Sequence, residues 1–248
     1  IASNFLKWYA AGPADVGNQT RSVLDGVALP ADLARAAASY LETNPGSAGN
    51  GALMRTAPVA LAALDDRSEI ARLAESIASL THAHPDSVAA CVLWSLAIQE
   101  AITTAEPDRP FNWEAAVRNG LPHVVEDRRD KWDNLISEAI AGPPSRFNPN
   151  GWVVTAFQAA LSAIINTPQP DEEPVGHLRD TLVAAVRIGN DTDTVAAIAG
   201  ALLGARWGKS AIPGEWLDLV HGDRRRGSTQ IRARDLEELV RGTTQPGK

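Results

Sequence analysis

Cysteine is almost missing: Cys91 is the single thiol in 248 residues, which excludes an intrachain disulfide and suits a reducing compartment. It sits in the apolar run Val88-Ala89-Ala90-Cys91-Val92-Leu93, where nothing nearby would lower its pKa, so it reads as a small core residue. Basic residues are in deficit as well. With 23 Lys+Arg against 30 Asp+Glu the formal charge is −7, and attraction to a nucleic-acid backbone is not expected. Long apolar runs are lacking: the most apolar stretch, residues 195–205, falls well short of the ~20 needed to cross a bilayer. No basic-then-apolar leader opens the chain. The expectation is a cytoplasmic protein with neither membrane nor nucleic acid among its partners. The seven tryptophans are scattered without interleaved basic residues, which fits packing better than base stacking. The run Arg224-Arg225-Arg226, with Arg232 and Arg234, reads as solvated surface.

Alanine, leucine and helical spacing are abundant. Ile70, Leu73, Ala74 and Ile77 fall at i, i+3, i+4 and i+7, and Pro30 and Pro85 suit first helical turns ahead of 33–36 and 88–102. Further helices are expected over 52–64, 113–119, 124–141, 152–166, 175–187, 193–207 and 231–241. Ser3 reads as the cap of an opening helix carrying Phe5, Leu6, Trp8 and Tyr9. Only Trp152-Val153-Val154-Thr155 has β-like composition, too little for a sheet. Asn44-Pro45-Gly46-Ser47, Ala141-Gly142-Pro143-Pro144-Ser145 and Thr167-Pro168-Gln169-Pro170 are loop signals without linker length. The expected architecture is an all-α single domain over 1–248.

Chemistry concentrates in three segments. Gly189-Asn190-Asp191-Thr192-Asp193-Thr194 leads into a helix and crowds two carboxylates and hydroxyls at its start. Hard cations such as Mg²⁺ take such oxygen ligands, whereas the absence of thiolates and paired imidazoles argues against zinc. A simple helix cap accounts for the same residues. Behind it Gly200, Gly204 and Gly208 recur every fourth residue, each costing about 1 kcal/mol of helix propensity relative to alanine, which predicts a neighbouring helix packed closely on that face. The second segment, Gly46-Ser47-Ala48-Gly49-Asn50-Gly51-Ala52-Leu53-Met54-Arg55, has the glycines to gather amide hydrogens around a diphosphate, or to make an ordinary turn; it lacks the Gly-Lys-Ser/Thr ending of a P-loop. The third, Thr81-His82-Ala83-His84-Pro85-Asp86, offers two imidazoles that either cap and pack or contact a ligand.

Together these segments resemble the ADP-ribosylglycohydrolase family, which includes the bacterial dinitrogenase-reductase-activating glycohydrolases and hydrolases of ADP-ribosyl-arginine and ADP-ribosyl-serine. Four matches run in family order: Gly12-Pro13-Ala14-Asp15-Val16-Gly17-Asn18-Gln19-Thr20, Gly49-Asn50-Gly51-Ala52-Leu53-Met54-Arg55, Leu80-Thr81-His82, and residues 189–200 with their Asp-Thr-Asp-Thr core; Asn150-Gly151-Trp152-Val153-Val154 is a weaker fifth. The resemblance implies an all-helical fold and two Mg²⁺ or Mn²⁺ ions beside a cleft that receives ADP-ribose. It makes Asp191, Asp193 and Thr194 metal ligands, Ser47, Gly49, Asn50, Gly51 and His82 contacts to ADP-ribose, and Asp15 an acidic group near the scissile bond, so that Asp15, Asp191 and Asp193 form the catalytic set. The implied activity is hydrolysis of the N- or O-glycosidic bond between ADP-ribose and a modified target, arginine slightly favoured. A non-catalytic ADP-ribose-binding member and a hydrolase of a small ADP-ribose derivative are the alternatives. Family members also carry, ahead of the matched portion, a Thr-Asp-Asp segment with further metal ligands; Ile1 begins after that place, and the gene product is expected to extend upstream.

Overall fold

The computed structural model describes residues 1–105, 110–169, 174–223 and 230–244. Thirteen helices are described there: α1 (Ala2–Ala10), α2 (Asn18–Leu24), α3 (Leu33–Thr43), α4 (Ala57–Leu61), α5 (Arg67–Ala78), α6 (Pro85–Thr103), α7 (Trp113–Arg118), α8 (Glu126–Ala141), α9 (Val153–Asn166), α10 (Pro174–Arg187), α11 (Thr192–Trp207), α12 (Gly214–Leu219) and α13 (Ala233–Thr244). Short 3₁₀ turns cover 30–32, 53–55, 121–123, 144–146 and 209–211. The Arg224-Arg225-Arg226 run and Pro170 lie outside the described residues.

The core is built on α6, α9 and α11. Helix α6 is apolar on every side, which suits only a helix surrounded by others, and Ala90, Leu93, Trp94, Leu96 and Ala97 are fully buried. Its start is set by Pro85 in the first turn and by His84, whose Nδ1 accepts from the Asp86 amide at 3.1 Å. Helix α9 buries Phe157 between Trp94 and Trp132, each edge-to-face at 5.0 Å. The Trp94 indole donates to the Ile198 carbonyl at 3.0 Å, tying α6 to α11. Truncating such a buried tryptophan costs about 3–5 kcal/mol. A smaller cluster of Val23, Leu24, Leu33 and Ala37, with Phe5, Leu6 and Tyr40 against it, seats α1–α3 beside this core.

Three features differ from expectation. The expected helix over 52–64 is broken into the 53–55 turn and α4, because Pro58 lacks the amide that would bond back to Met54 and its ring crowds that carbonyl. The glycine face of α11 is not clasped: a Cβ at Gly200 would stand 3.5 Å from Leu182, but at Gly204 and Gly208 it would meet nothing within 4 Å. Finally, β1 (His221–Asp223) and β2 (Gln230–Arg232) pair antiparallel, with Gly222 opposite Ile231, so the last helix starts at Ala233. Strands of three residues are too short to print an alternating pattern. None of the described helices is long and apolar enough to cross a membrane.

Candidate active site

The acidic turn is shaped by consecutive left-handed residues. Gly189 (φ +86°) is free of a Cβ penalty, and Asn190 (φ +62°) is the one non-glycine described at positive φ, a region asparagine tolerates better than most side chains. Two asparagines from the loop before α9 hold this backbone. Asn148 Nδ2 donates to the Ile188 carbonyl at 2.9 Å, and its Oδ1 accepts from the Asn190 side chain. Asn150, wholly buried, donates to the Gly189 carbonyl at 3.1 Å and accepts from the Asp191 amide at 2.9 Å. Every bond a buried asparagine makes here replaces water it has lost.

Asp191 stands at the N-cap of α11, yet its side chain makes no capping bond. Its Oδ2 instead accepts from Asn50 Nδ2 at 2.7 Å, and the same Asn50 amide group donates to the Asn150 carbonyl at 2.9 Å. The glycine-rich loop and the acidic turn are thereby joined. Asp193 is exposed, Asp191 is half-buried, and Thr194 is buried with its hydroxyl 3.7 Å from the Met54 sulfur, a weak acceptor that leaves the oxygen lone pairs unused. Two carboxylates and a hydroxyl at one helix start are the donor chemistry of a hard divalent cation. No group of three or more His, Cys, Asp and Glu that would complete a cation site was found among the described residues.

The glycine-rich loop lies across the start of α9. Gly49 bridges to Trp152, the Asn50 amide donates to the Gly151 carbonyl at 3.3 Å, and the Val153 amide donates to the Ala48 carbonyl at 2.8 Å. The Gly49 amide is taken by Gln19 Oε1 at 3.1 Å, and the Ser47 amide by the Asn44 carbonyl at 2.9 Å. The amides of Gly51, Ala52 and Leu53 make no hydrogen bond among the described residues.

His82 lies beneath this loop, 2% exposed. A Cβ on Gly51 would stand 3.1 Å from its Nε2, close enough to push the ring by a few tenths of an ångström, and one on Gly49 would stand 3.4 Å from Nε2 and 3.1 Å from Gln19 Oε1. Burial and the nearby Arg55 charge push the imidazole down to about 3, so it is neutral. Its Nδ1 is 2.7 Å from Thr81 Oγ1, which also receives Arg55 Nη2 at 2.6 Å. Which of the two donates follows the imidazole tautomer, and Nε2 is the ring nitrogen facing the loop. His84 does different work, sitting 3.8 Å from buried Asp86, which also pairs with Lys131 at 2.6 Å.

Of the sequence-predicted residues, Asn50 and Asp191 are in direct contact, with Gly49 and Gly51 next to Asn50 and with Asp193 and Thr194 following Asp191 on α11. Ser47 begins the same loop, and its hydroxyl makes no hydrogen bond among the described residues. Asp15 is exposed in the loop over 11–17, with no hydrogen bond or ion pair to the acidic turn among the described residues. Sequence reasoning carried Gln19, Thr81 and Arg55 inside motifs without giving them a role, and did not single out Asn148. The polar run Asn148-Pro149-Asn150-Gly151 between two helices was the available signal for the first.

A family model described as ADP-ribosylglycohydrolase matches residues 1–246. The chain is 28% identical over 230 residues to "ADP-ribosylarginine hydrolase Tri1" of Serratia proteamaculans (88% of this chain, 56% of that protein). It is 29% identical over 217 residues to "ADP-ribosyl-[dinitrogen reductase] glycohydrolase" of Rhodospirillum rubrum (88% and 64%). With "ADP-ribosylhydrolase ARH3" of Homo sapiens it shares 28% over 202 residues (71% and 55%). It thus spans little more than half the length of most of these relatives. A solved structure titled "ADP-ribosylglycohydrolase-related protein complex" superposes with a TM-score of 0.70 at 25% identity, covering 98% of this chain and 72% of that one.

Proposed function

The chain belongs to the ADP-ribosylglycohydrolase family, and from that premise we propose that it hydrolyses the glycosidic bond between ADP-ribose and a modified target, with arginine favoured. The observation that carries the proposal is the 2.7 Å bond from Asn50 to Asp191. It sets a loop with unpaired amides against a turn with oxygen ligands, and a ribose diphosphate bound to a cation needs both. Arginine is favoured because Asp15 matches the acidic position of arginine-directed members and because the Serratia relative is named for ADP-ribosylarginine.

In this proposal Asp191, Asp193 and Thr194 hold Mg²⁺ or Mn²⁺. A cation bound there supplies a lowered pKa for water and compensates charge on the ribose hydroxyls. The amides of Gly51, Ala52 and Leu53 and the Ser47 hydroxyl take the diphosphate. Gly49 and Gly51 contribute by lacking a side chain, and His82 sets the height of the loop from beneath. As the bond from the ribose C1 to the target nitrogen breaks, positive charge builds on the sugar ring. A water oxygen bonds to C1, its proton passes by way of Asp15 to the departing guanidine, and free ADP-ribose is left.

A non-catalytic ADP-ribose binder is the second reading, favoured by the presence of only two carboxylates at the turn. Calorimetry with ADP-ribose, run beside release from ADP-ribosyl-arginine and ADP-ribosyl-serine peptides in Mg²⁺, separates them. Release, faster from arginine, is expected. Binding without release supports the second reading, and neither binding nor release contradicts both.

A further inference from the structure

Arg55 sits under the glycine-rich loop with its guanidinium between a carbonyl, a hydroxyl and an aromatic ring. Nη1 donates to the Gly51 carbonyl at 3.1 Å, Nη2 donates to Thr81 Oγ1 at 2.6 Å, and the guanidinium carbon lies 4.6 Å over the Phe5 ring. No carboxylate pairs with it among the described residues. Nearby Cys91 supplies no charge, because complete burial pushes its thiol up to about 12. Burial also draws the Arg55 pKa down, though arginine starts so high that it stays protonated.

The Gly51–Ala52 peptide is trans, since the only cis bond described is Asn148–Pro149. In a trans peptide the C=O and N–H point in opposite directions. Holding the Gly51 oxygen against the guanidinium therefore turns the Ala52 N–H away from Arg55, and the cation polarises that peptide so that its outer end is positive. The Ala52 amide is one of the three left without a partner among the described residues. The fork geometry matters, because only a guanidinium reaches both the carbonyl and the Thr81 hydroxyl with fixed donors.

We propose that Arg55 is the positioning residue of the diphosphate seat: it fixes and polarises the Gly51–Ala52 peptide so that the Ala52 amide meets phosphate oxygen, and its charge selects for an anion there. This rests on the reading of the loop as the ADP-ribose diphosphate site.

The test compares wild type, Arg55→Met and Arg55→Lys by calorimetry with ADP-ribose, ADP, inorganic pyrophosphate and adenosine, with thermal unfolding recorded for each. Arg55→Met should weaken ADP-ribose and ADP by about 10- to 100-fold, the range of a lost charge-assisted bond. Adenosine should change less than twofold. Arg55→Lys should lose about 3- to 10-fold for the phosphorylated ligands alone, since charge remains and the fork does not. That variant carries the test if Arg55→Met does not fold. Equal losses for all four ligands, or none for any, overturn the role of Arg55 and leave the proposed activity standing. Wild type that binds adenosine but neither ADP-ribose nor pyrophosphate overturns both.

Discussion

Asn50 donates to Asp191 across 141 residues of sequence, and through the same amide nitrogen it holds the Asn150 carbonyl. One short side chain thus fixes the distance between the glycine-rich loop and the acidic turn. Asn50→Ala frees the Asp191 carboxylate to rotate. Removing such a supporting partner typically costs 10–100-fold in metal affinity or activity, and about that loss of Mn²⁺ affinity is expected by calorimetry. An unchanged affinity would mean that Asn50 does not orient a ligand.

Asn150 is the second strut. Asn150→Ala strands the Asp191 amide and the Gly189 carbonyl, both bonded by it in a site with no exposure of its own. Two unmet polar groups at about 1–3 kcal/mol each should lower the urea midpoint by several kcal/mol equivalent. A midpoint within about 0.5 kcal/mol of wild type would show that water replaces the side chain without loss.

Glycine positions in the loop should divide cleanly. Gly51→Ala drives a methyl to 3.1 Å from the buried His82 ring, whereas Gly46→Ala meets nothing within 4 Å. The first should weaken ADP-ribose binding by about tenfold, or about 1.4 kcal/mol, within the ~1–3 kcal/mol that crowding a packed position costs; the second should be neutral. Equal affinities for the two variants would contradict the packing of His82 against the loop.

Protonation of His82 is the fourth test. Its pKa is about 3 folded against about 6.5 unfolded, so between these values the unfolded chain binds the extra proton. Stability is therefore full above about pH 6.5 and declines as pH falls towards 3, by about 2 kcal/mol from this group between pH 7 and pH 5. His84, His123 and His177, also lowered chiefly by burial, add to the slope. His82→Gln should lose stability less steeply from pH 7 to pH 5 than wild type, as read by urea unfolding. Identical slopes would place the ring in water.

Much of the fold was legible because apolar spacing is dense: helices expected over 88–102, 152–166 and 193–207 appear as α6, α9 and α11 with ends shifted by three residues at most. The acidic turn was visible as two aspartates at a helix start. Its coupling to the loop was not, because Asn50 and Asp191 meet only when α9 and α11 pack, and local sequence carries no record of a contact 141 residues apart. Arg55 was read as part of a motif without a role, since whether a carboxylate lies beside a cation is a property of the folded surroundings. The glycines of α11 suggested a clasped face by composition alone; Gly204 and Gly208 instead face open space. Near them a mostly apolar cavity of about 500 Å³ is lined by Leu217, Leu236 and Val240. It lies about 16 Å along the helix from Asp193 at 1.5 Å per residue, too far to belong to the acidic turn.

The proposed function has oxygen atoms of Asp191, Asp193 and Thr194 act with a divalent cation on ADP-ribose. Its most direct measurement is the rate of ADP-ribose release from an ADP-ribosyl-arginine peptide as Mg²⁺ is titrated, for wild type, Asp191→Asn and Asp193→Asn. Saturable Mg²⁺ dependence in wild type and at least a hundredfold loss in each variant, equivalent to about 2.7 kcal/mol of transition-state stabilisation, are expected. Release at the wild-type rate by both variants, or release indifferent to Mg²⁺, would contradict it.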